Sequence, residues 1–442
     1  MLNRFVHSVA TYVRKNAFIR ETLKKMITPQ ITAIMNSSIP EITPINARRS
    51  DYSDQRINLL VPSVNQAHVF GGISTAVSFF EQVTREAGLS KRIITTDTMI
   101  DPDAGNRFAD YSIVPASTDS SHDSQIIGFG DRAEKTIPVG ENDYFMATAW
   151  WTAFNAQKIV RWQHETYGGF IRKMIYFIQD FEPGFYPWSS RFALAESTYR
   201  NEFPQTAVFN SSLLHRYFKQ SGYNFDDEFV FEPVLNRNLK KGLGNIRAGV
   251  KKKQILVYGR PSVERNAFSL IIEALKSWVW IQHNVHDWVV ISAGEKHPDI
   301  DLGNNMTMRS LGKLSLDNYN EILKESGVGI SLMISPHPSY PPMEMAMFGI
   351  GVISSKFAGK DLSEWHENVH SIDLSVDALV DMLTDICDRF STDRTCFLDK
   401  KLHKKEYLDT DGQFQFVKDL VFSLFTVENN NMKINKGNFH EK

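Results

Sequence analysis

A chain of 442 residues is too long for one ordinary hydrophobic core, so two domains are expected. Its 49 basic and 51 acidic side chains leave a net charge of −2, which provides no global field for nucleic acid or a membrane. A hydrophobic share of 42% beside a charged share of 23% fits a soluble globular enzyme or binding protein, and two cysteines, Cys387 and Cys396, are too few for a disulfide framework or a zinc site.

No run reaches the roughly 18 apolar residues needed to cross a bilayer, and the amino terminus lacks an uninterrupted apolar signal core. A cytoplasmic protein is therefore expected. Residues 1–27 carry Arg4, Arg14, Lys15, Arg20, Lys24 and Lys25 against the single acid Glu21, with Phe5, Val9, Tyr12, Val13, Phe18 and Leu23 near helical spacing. This amphipathic basic helix either packs on the rest of the chain or lies on an anionic membrane at the inner face of the cell. Residues 1–50 form the helical extension in this scheme, and residues 51–238 a first Rossmann-like domain.

From Asp51 short apolar runs alternate with longer helical stretches, the pattern of repeated βαβ units. Ile57 to Val61 reads as the first strand. It leads through Gly71-Gly72 into a helix near Ser74 or Thr75 that buries Ala76, Val77, Phe80, Val83 and Ala87 and stops at Gly88. Arg92 to Thr96, Tyr144 to Ala149 and Met174 to Ile178 follow as strands, with Ala193 to Leu194 and Ala207 to Phe209 as shorter ones. Residues 239–254 are a basic linker, with Lys240, Lys241, Arg247 and Lys251 to Lys253; their charge serves either a solvated face or an acceptor phosphate. The second α/β domain, 255–405, opens with the strand Ile255 to Tyr258 and the helix Ala267 to Trp280. Strands at Trp288 to Ser292, Met306 to Arg309, Val328 to Leu332 and Gly351 to Ser354 come next, then a helix near Val376 to Phe390. A helix over 406–427 is expected to cross back to the first domain, and 428–442 form a frayed tail.

Chemistry concentrates in Gly329 to Phe357. An apolar run breaks at Ser335 into a proline-rich turn, and a helix starts at Pro341-Pro342 with Glu344 in its first turn. Such a turn lies at a strand's carboxyl end, where open α/β sheets bind ligands, and the helix start is a potential anion seat. Gly71-Gly72 before a helix either admits a phosphate or forms a tight turn. Arg260 follows a strand through Gly259, and Arg265 stands five positions later; two guanidiniums there either neutralise a diphosphate or pair with local acids such as Glu264. Gln179-Asp180-Phe181-Glu182 follows another strand; Asp180 or Glu182 can orient an acceptor hydroxyl or cap a helix. Asp101/Asp103 and Asp299/Asp301 have the spacing of carboxylates that hold a divalent ion, but both pairs sit in loops, and no metal is expected.

The succession YGRPSVERNAFSLIIEAL, VVISAGE, SLGKLSLDNYNEILKESGVGISLMIS and PPMEMAMFGIGVI, residues 255–360, resembles the carboxyl-terminal half of retaining glycosyltransferases of family 4. Those enzymes have the GT-B architecture, two facing Rossmann-like doubly wound domains with a cleft between them. YFIQDFEPGFY (Tyr176 to Tyr186) and VFEPVLN (Val230 to Asn236) are most similar to dTDP-rhamnose-dependent rhamnosyltransferases of bacterial surface-polysaccharide assembly, such as those for O-antigen or S-layer glycans. The resemblance implies transfer of L-rhamnose, with retention, from dTDP-β-L-rhamnose to a growing, lipid-linked glycan, without cofactor or metal.

By the same resemblance, Arg260 and Arg265 contact the donor pyrophosphate, Glu344 accepts a hydrogen bond from the nucleotide sugar, and Gly294, Gly312, Lys313 and Leu314 border the base. Ser339 and Tyr340 meet the phosphates or the sugar, Gly71 and Gly72 complete the donor site, and Gln179, Asp180 and Glu182 face the acceptor. Three positions depart from the pattern, among them Gln179, where the family often shows a histidine. The eighth residue back from Glu344 is Pro336 rather than a glutamate, with His337 beside it as the substitute, and Arg265 stands where a lysine is usual. A UDP-hexose transferase of the same fold and a non-catalytic sugar-binding protein are the alternatives.

Overall fold

The computed structural model describes residues 38–65, 71–102, 108–200, 202–248, 251–409 and 412–425; the basic segment 1–27, Asp103 and the tail 428–442 lie outside them. The chain divides into two units, residues 1–44 and 45–442; of the first, residues 38–44 are described, with a 3-10 turn at Pro40–Ile42.

In chain order the first ten strands of the second unit are β1 (Asn46–Arg49), β2 (Arg56–Val61), β3 (Ser90–Thr95), β4 (Ser112–Ile113), β5 (Ser124–Gly128), β6 (Thr136–Val139), β7 (Asp143–Ala147), β8 (Met174–Ile178), β9 (Gln205–Asn210) and β10 (Asp227–Phe231). Seven more follow: β11 (Lys252–Gly259), β12 (Val289–Gly294), β13 (Ile300–Gly303), β14 (Met306–Gly312), β15 (Ser326–Ile330), β16 (Gly351–Ser355) and β17 (Val369–Ile372). Among the described residues β1 pairs with β6, and the others form two sheets, β10-β9-β8-β7-β2-β3-β5-β4 and β13-β14-β12-β11-β15-β16-β17. Both sheets are parallel except where β13 runs antiparallel to β14.

Parallel pairing follows from composition. Every residue of β2, β7, β8 and β9 is buried, which requires helices on both faces of the sheet and crossover connections between strands. In the first sheet the strand order reverses between β2 and β7; in the second it reverses between β11 and β15. Those two switch points leave a crevice at the strands' carboxyl ends.

The carboxyl-terminal segment joins the two halves. The Tyr407 carbonyl accepts the Leu235 N–H at 2.8 Å, and Tyr407 packs in the second half's core with Met343 and Leu235. A few residues later, Phe414 lies 5.2 Å from Phe79 and 5.0 Å from Phe231, and Val417, Leu420 and Leu424 complete the first half's core. Each such buried apolar side chain contributes about 1.5–3 kcal/mol.

Polar groups also order the first sheet. Arg56 grips Asp143 through two bonds of 2.9 and 3.0 Å, and Arg92 joins at 3.2 Å, all three fully buried. Burial pushes the Asp143 carboxyl up, but Arg92 and Arg56 outweigh it and hold the group below its usual range. Burial, with Arg56 adding, lowers Arg92 to about 9.

Three elements differ from the sequence expectation. Ala193 and Leu194 lie in a helix, Ser190–Ser197, because the Ser189 hydroxyl accepts the Phe192 N–H and caps a helix start too short to show periodicity. The run through Ala149 stops as a strand at Ala147; Thr152 Oγ1 accepts the Thr148 and Ala149 N–H groups and starts the helix Trp150–Tyr167. The apolar run to Ile334 pairs only as far as Ile330, since Met333 turns away to bond with Ser355 Oγ.

Candidate active site

The turn after β15 is pinned on both sides. Ile334 N–H donates to the Arg265 carbonyl at 2.7 Å, and Asn266 Nδ2 donates to the Leu332 carbonyl at 3.1 Å, so the segment carrying Arg265 and the proline-rich turn form one body. Lys360, which follows β16, closes it from below by donating to the Met333 carbonyl at 2.6 Å. Burial lowers that ammonium to about 7, opposed by Asp180.

This body meets the first half at Asp180, which follows β8 and is 7% exposed. One carboxylate oxygen accepts the Ser335 hydroxyl, and the other lies 3.5 Å from Arg265 Nε. The Arg265 guanidinium also sits 4.0 Å over the Phe185 ring. A second tie runs from Asn210 Nδ2, at the end of β9, to Tyr340 Oη at 3.2 Å. Gly72 completes the edge. A Cβ there would press on the Gln179 amide, which would have to shift, so glycine lets the helix Gly72–Ala87 start directly against the strand end that carries Asp180.

Arg260 occupies the switch point of the second sheet. Gly294, at φ 138°, brings β12 so close that a Cβ would lie 2.7 Å from the Gly259 carbonyl and 3.1 Å from Arg260 Cγ. The next residue, Glu295, is held by Ser262, whose N–H and hydroxyl reach it at 3.1 and 2.7 Å. The Arg260 carbonyl accepts the Val263 N–H at 3.0 Å, while its guanidinium makes no hydrogen bond or ion pair among the described residues. Gly312, at φ 70°, turns β14 into Lys313, whose ammonium is lowered by burial and then by Arg260; Leu314 packs into the core beside it. A lysine whose charge is disfavoured by a neighbouring guanidinium leaves the pair ready to take an anion.

Glu344 lies one turn into the helix Pro341–Met347, half-buried against Tyr319. Burial raises its carboxyl to about 7, and the Tyr319 hydroxyl works against that rise. Tyr258 and Tyr407 lie near enough to Tyr319, and Tyr340 near enough to Tyr407, for their charged forms to disfavour one another.

Two expectations change. Glu182 takes the helix-capping alternative: its carboxylate, 7% exposed, accepts the Trp150 N–H at the start of the helix Trp150–Tyr167, and burial raises it to about 8. The helix at Pro341 is a poor anion seat, because its first two residues have no N–H, the Glu344 N–H is bonded to the Tyr340 carbonyl, and the Ser339 N–H is taken by His337 Nδ1. Of the acid pairs, Asp299 accepts from Ser310 N at 2.9 Å and Asp301 from Gly303 N at 2.9 Å, while Asp103 lies outside the described residues. Among the described residues no group of three metal-ligating side chains forms, and no helix is long and apolar enough to cross a membrane. Lys360, Ser335 and Asn210 were missed from the sequence although each directly follows or closely trails a strand; Tyr319 and Tyr407 carried no local signal.

Two Rossmann-like halves that meet at Asp180 and Arg265, with Arg260 at the second sheet's switch point, have the GT-B architecture of glycosyltransferases. The same fold is found in sucrose-phosphate synthase from Thermosynechococcus elongatus, at TM-score 0.50 and 13% identity over 86% of this chain and 98% of that one. It recurs in α,α-trehalose 6-phosphate synthase from Burkholderia multivorans, at TM-score 0.54 and 7% identity over 87% and 99%. The model of the WsaF N-terminal domain matches residues 56–212 and that of the WsaF C-terminal domain residues 253–384; together they cover well over half of the chain, which belongs to this family. A curated relative, the O-antigen biosynthesis protein RfbC of Myxococcus xanthus, is 29% identical over 291 residues, 65% of this chain. The match takes in 21% of RfbC, so the chain spans about a fifth of that relative's length.

Proposed function

We propose that this glycosyltransferase moves L-rhamnose from dTDP-β-L-rhamnose to a hydroxyl of a growing, lipid-linked bacterial surface glycan at the inner face of the cell membrane, with retention of configuration. The observation that carries the donor half of this reading is the unspent Arg260 guanidinium beside Lys313 at the second sheet's switch point. There the two cations neutralise the diphosphate as charge develops on its leaving oxygen, with Arg265 completing the set and no metal required. The diphosphate competes with Asp180 for Arg265, and the Asp180 carboxylate, once released, orients the acceptor hydroxyl. The leaving phosphate takes the acceptor's proton. Glu344 accepts a hydrogen bond from the nucleotide sugar. The surface-glycan acceptor is supported by the name of the Myxococcus relative, and rhamnose by the likeness of residues 176–186 and 230–236 to rhamnosyltransferases.

The test uses the purified full chain. Thermal unfolding with dTDP and with UDP identifies the base, and NMR of the product formed from dTDP-β-L-rhamnose and a rhamnose-terminated acceptor reads the new anomeric centre. Stabilisation by dTDP and a β-linked product are expected; stabilisation by UDP alone sinks the donor assignment, and an α-linked product sinks retention.

A further inference from the structure

Beside Pro336, where the resemblance calls for a glutamate, His337 is held in a single orientation. Its N–H donates to Ser335 Oγ at 3.0 Å, its Nδ1 accepts the Ser339 N–H at 3.0 Å, and its ring lies 5.9 Å from that of Tyr340. Because Nδ1 is the acceptor, the proton of the neutral ring sits on Nε2. The side chain is 5% exposed, and Nε2 is buried without a partner among the described residues. Burial holds the ring down at about 4; Lys360 and Arg265 add to this and Asp180 opposes it, so the ring is uncharged at neutral pH. A buried N–H with no acceptor costs about 1–3 kcal/mol. The same turn also carries Ser339 at φ 67°, a left-handed conformation for a residue with a Cβ. Both costs fall on one turn, between Asp180 and Glu344, and a bound ligand that accepts from Nε2 would offset the first.

We propose that the Nε2–H of His337 is the hydrogen-bond donor that holds the transferred sugar. The inference rests on the cleft being a nucleotide-sugar site and adds a polarity to it. A carboxylate at this place can only accept, and so selects a sugar hydroxyl that donates. A neutral imidazole in this tautomer can only donate, so it selects a sugar oxygen through its lone pair, the ring oxygen included, and requires no hydroxyl proton. His337 is thus a determinant of which hexosyl or deoxyhexosyl group the site admits.

Two substitutions separate this role from support of the turn. In His337→Asn the amide oxygen takes the place of Nδ1 and keeps the Ser339 bond, but nothing reaches the Nε2 position. In His337→Gln the amide N–H reaches that position, while the Nδ1 acceptor is lost. Calorimetric titration with dTDP and dTDP-β-L-rhamnose should show His337→Asn binding the sugar nucleotide about tenfold more weakly than wild type with dTDP affinity within twofold, and His337→Gln within about threefold for both. Wild-type sugar-nucleotide affinity in His337→Asn, or equal weakening toward both ligands, overturns the proposal. Should His337→Asn fail to fold, His337→Gln decides, since loss of sugar-nucleotide affinity there overturns it and retention supports it. A wild-type preference for UDP and UDP-glucose refutes the dTDP reading alone, and the same comparison made with that pair then decides the histidine. Wild-type protein that binds none of the four ligands refutes both.

Discussion

Glu344→Gln should make the protein more stable at alkaline pH while weakening its hold on the nucleotide sugar. Burial holds the folded-state carboxyl at about 7, against an ordinary value of 4.5. A carboxyl whose folded value is raised contributes its full stability below pH 4.5 and loses it as pH rises through about 7, because the folded protein keeps a proton that the unfolded chain has already released. At 1.36 kcal/mol per pH unit the loss approaches about 3 kcal/mol, and the part of the carboxylate open to the cleft reduces it to about 2 kcal/mol. The neutral amide carries no such penalty. Thermal unfolding at pH 8.5 should therefore show the variant melting about 4–8 °C above wild type if the carboxyl-terminal half unfolds as a unit, and the difference should vanish near pH 5. At pH 8.5 the variant should also bind dTDP-rhamnose more weakly, since a charged acceptor is replaced by a neutral one. A variant that melts below wild type at pH 8.5 would refute the reasoning and make Glu344 a structural carboxylate.

Asp143→Asn leaves Arg56 and Arg92 buried against a neutral amide and should cost about 3–5 kcal/mol in urea unfolding; a loss under about 1 kcal/mol would contradict the network's role. Since the Asp143 carboxyl is held below 3.8 in the folded state, its contribution is complete above that pH and fades as pH falls through the folded value, so wild type and variant should converge in acid. Ser335→Ala removes the hydroxyl that links the second half to Asp180, and small-angle scattering of the free protein should show a larger radius of gyration. An unchanged radius would mean that the remaining ties, Arg265 to Asp180 and Asn210 to Tyr340, hold the halves together without it.

The sheets were legible where strands are buried on both faces, because a run such as Ile57 to Val61 has no other soluble explanation. They were illegible at the edges: β4 has two residues, and β13 keeps only Leu302 fully inside, so neither yields a pattern. Arg260, Arg265 and Glu344 stood out because each lies just after a strand or at a helix start, positions that the local sequence defines. Asp180 was visible for the same reason, but its partners were not, since Ser335 lies 155 residues away and meets it only when the halves close. Tyr407 reaches the neighbourhood of Glu344 along the carboxyl-terminal segment, whose path depends on the finished fold. Glu182 shows the converse limit: its neighbours in sequence suggested the cleft, while the backbone of the helix at Trp150 claims its carboxylate.

Sugar transfer by the cations at the second switch point is tested most directly by comparing wild-type and Arg260→Ala turnover of dTDP-β-L-rhamnose with a rhamnose-terminated acceptor. Wild type should form the glycoside, and the variant should fall in kcat by about 10²–10³-fold while folding normally. Transfer by the variant within about threefold of wild type, or no transfer by wild type, would contradict the mechanism.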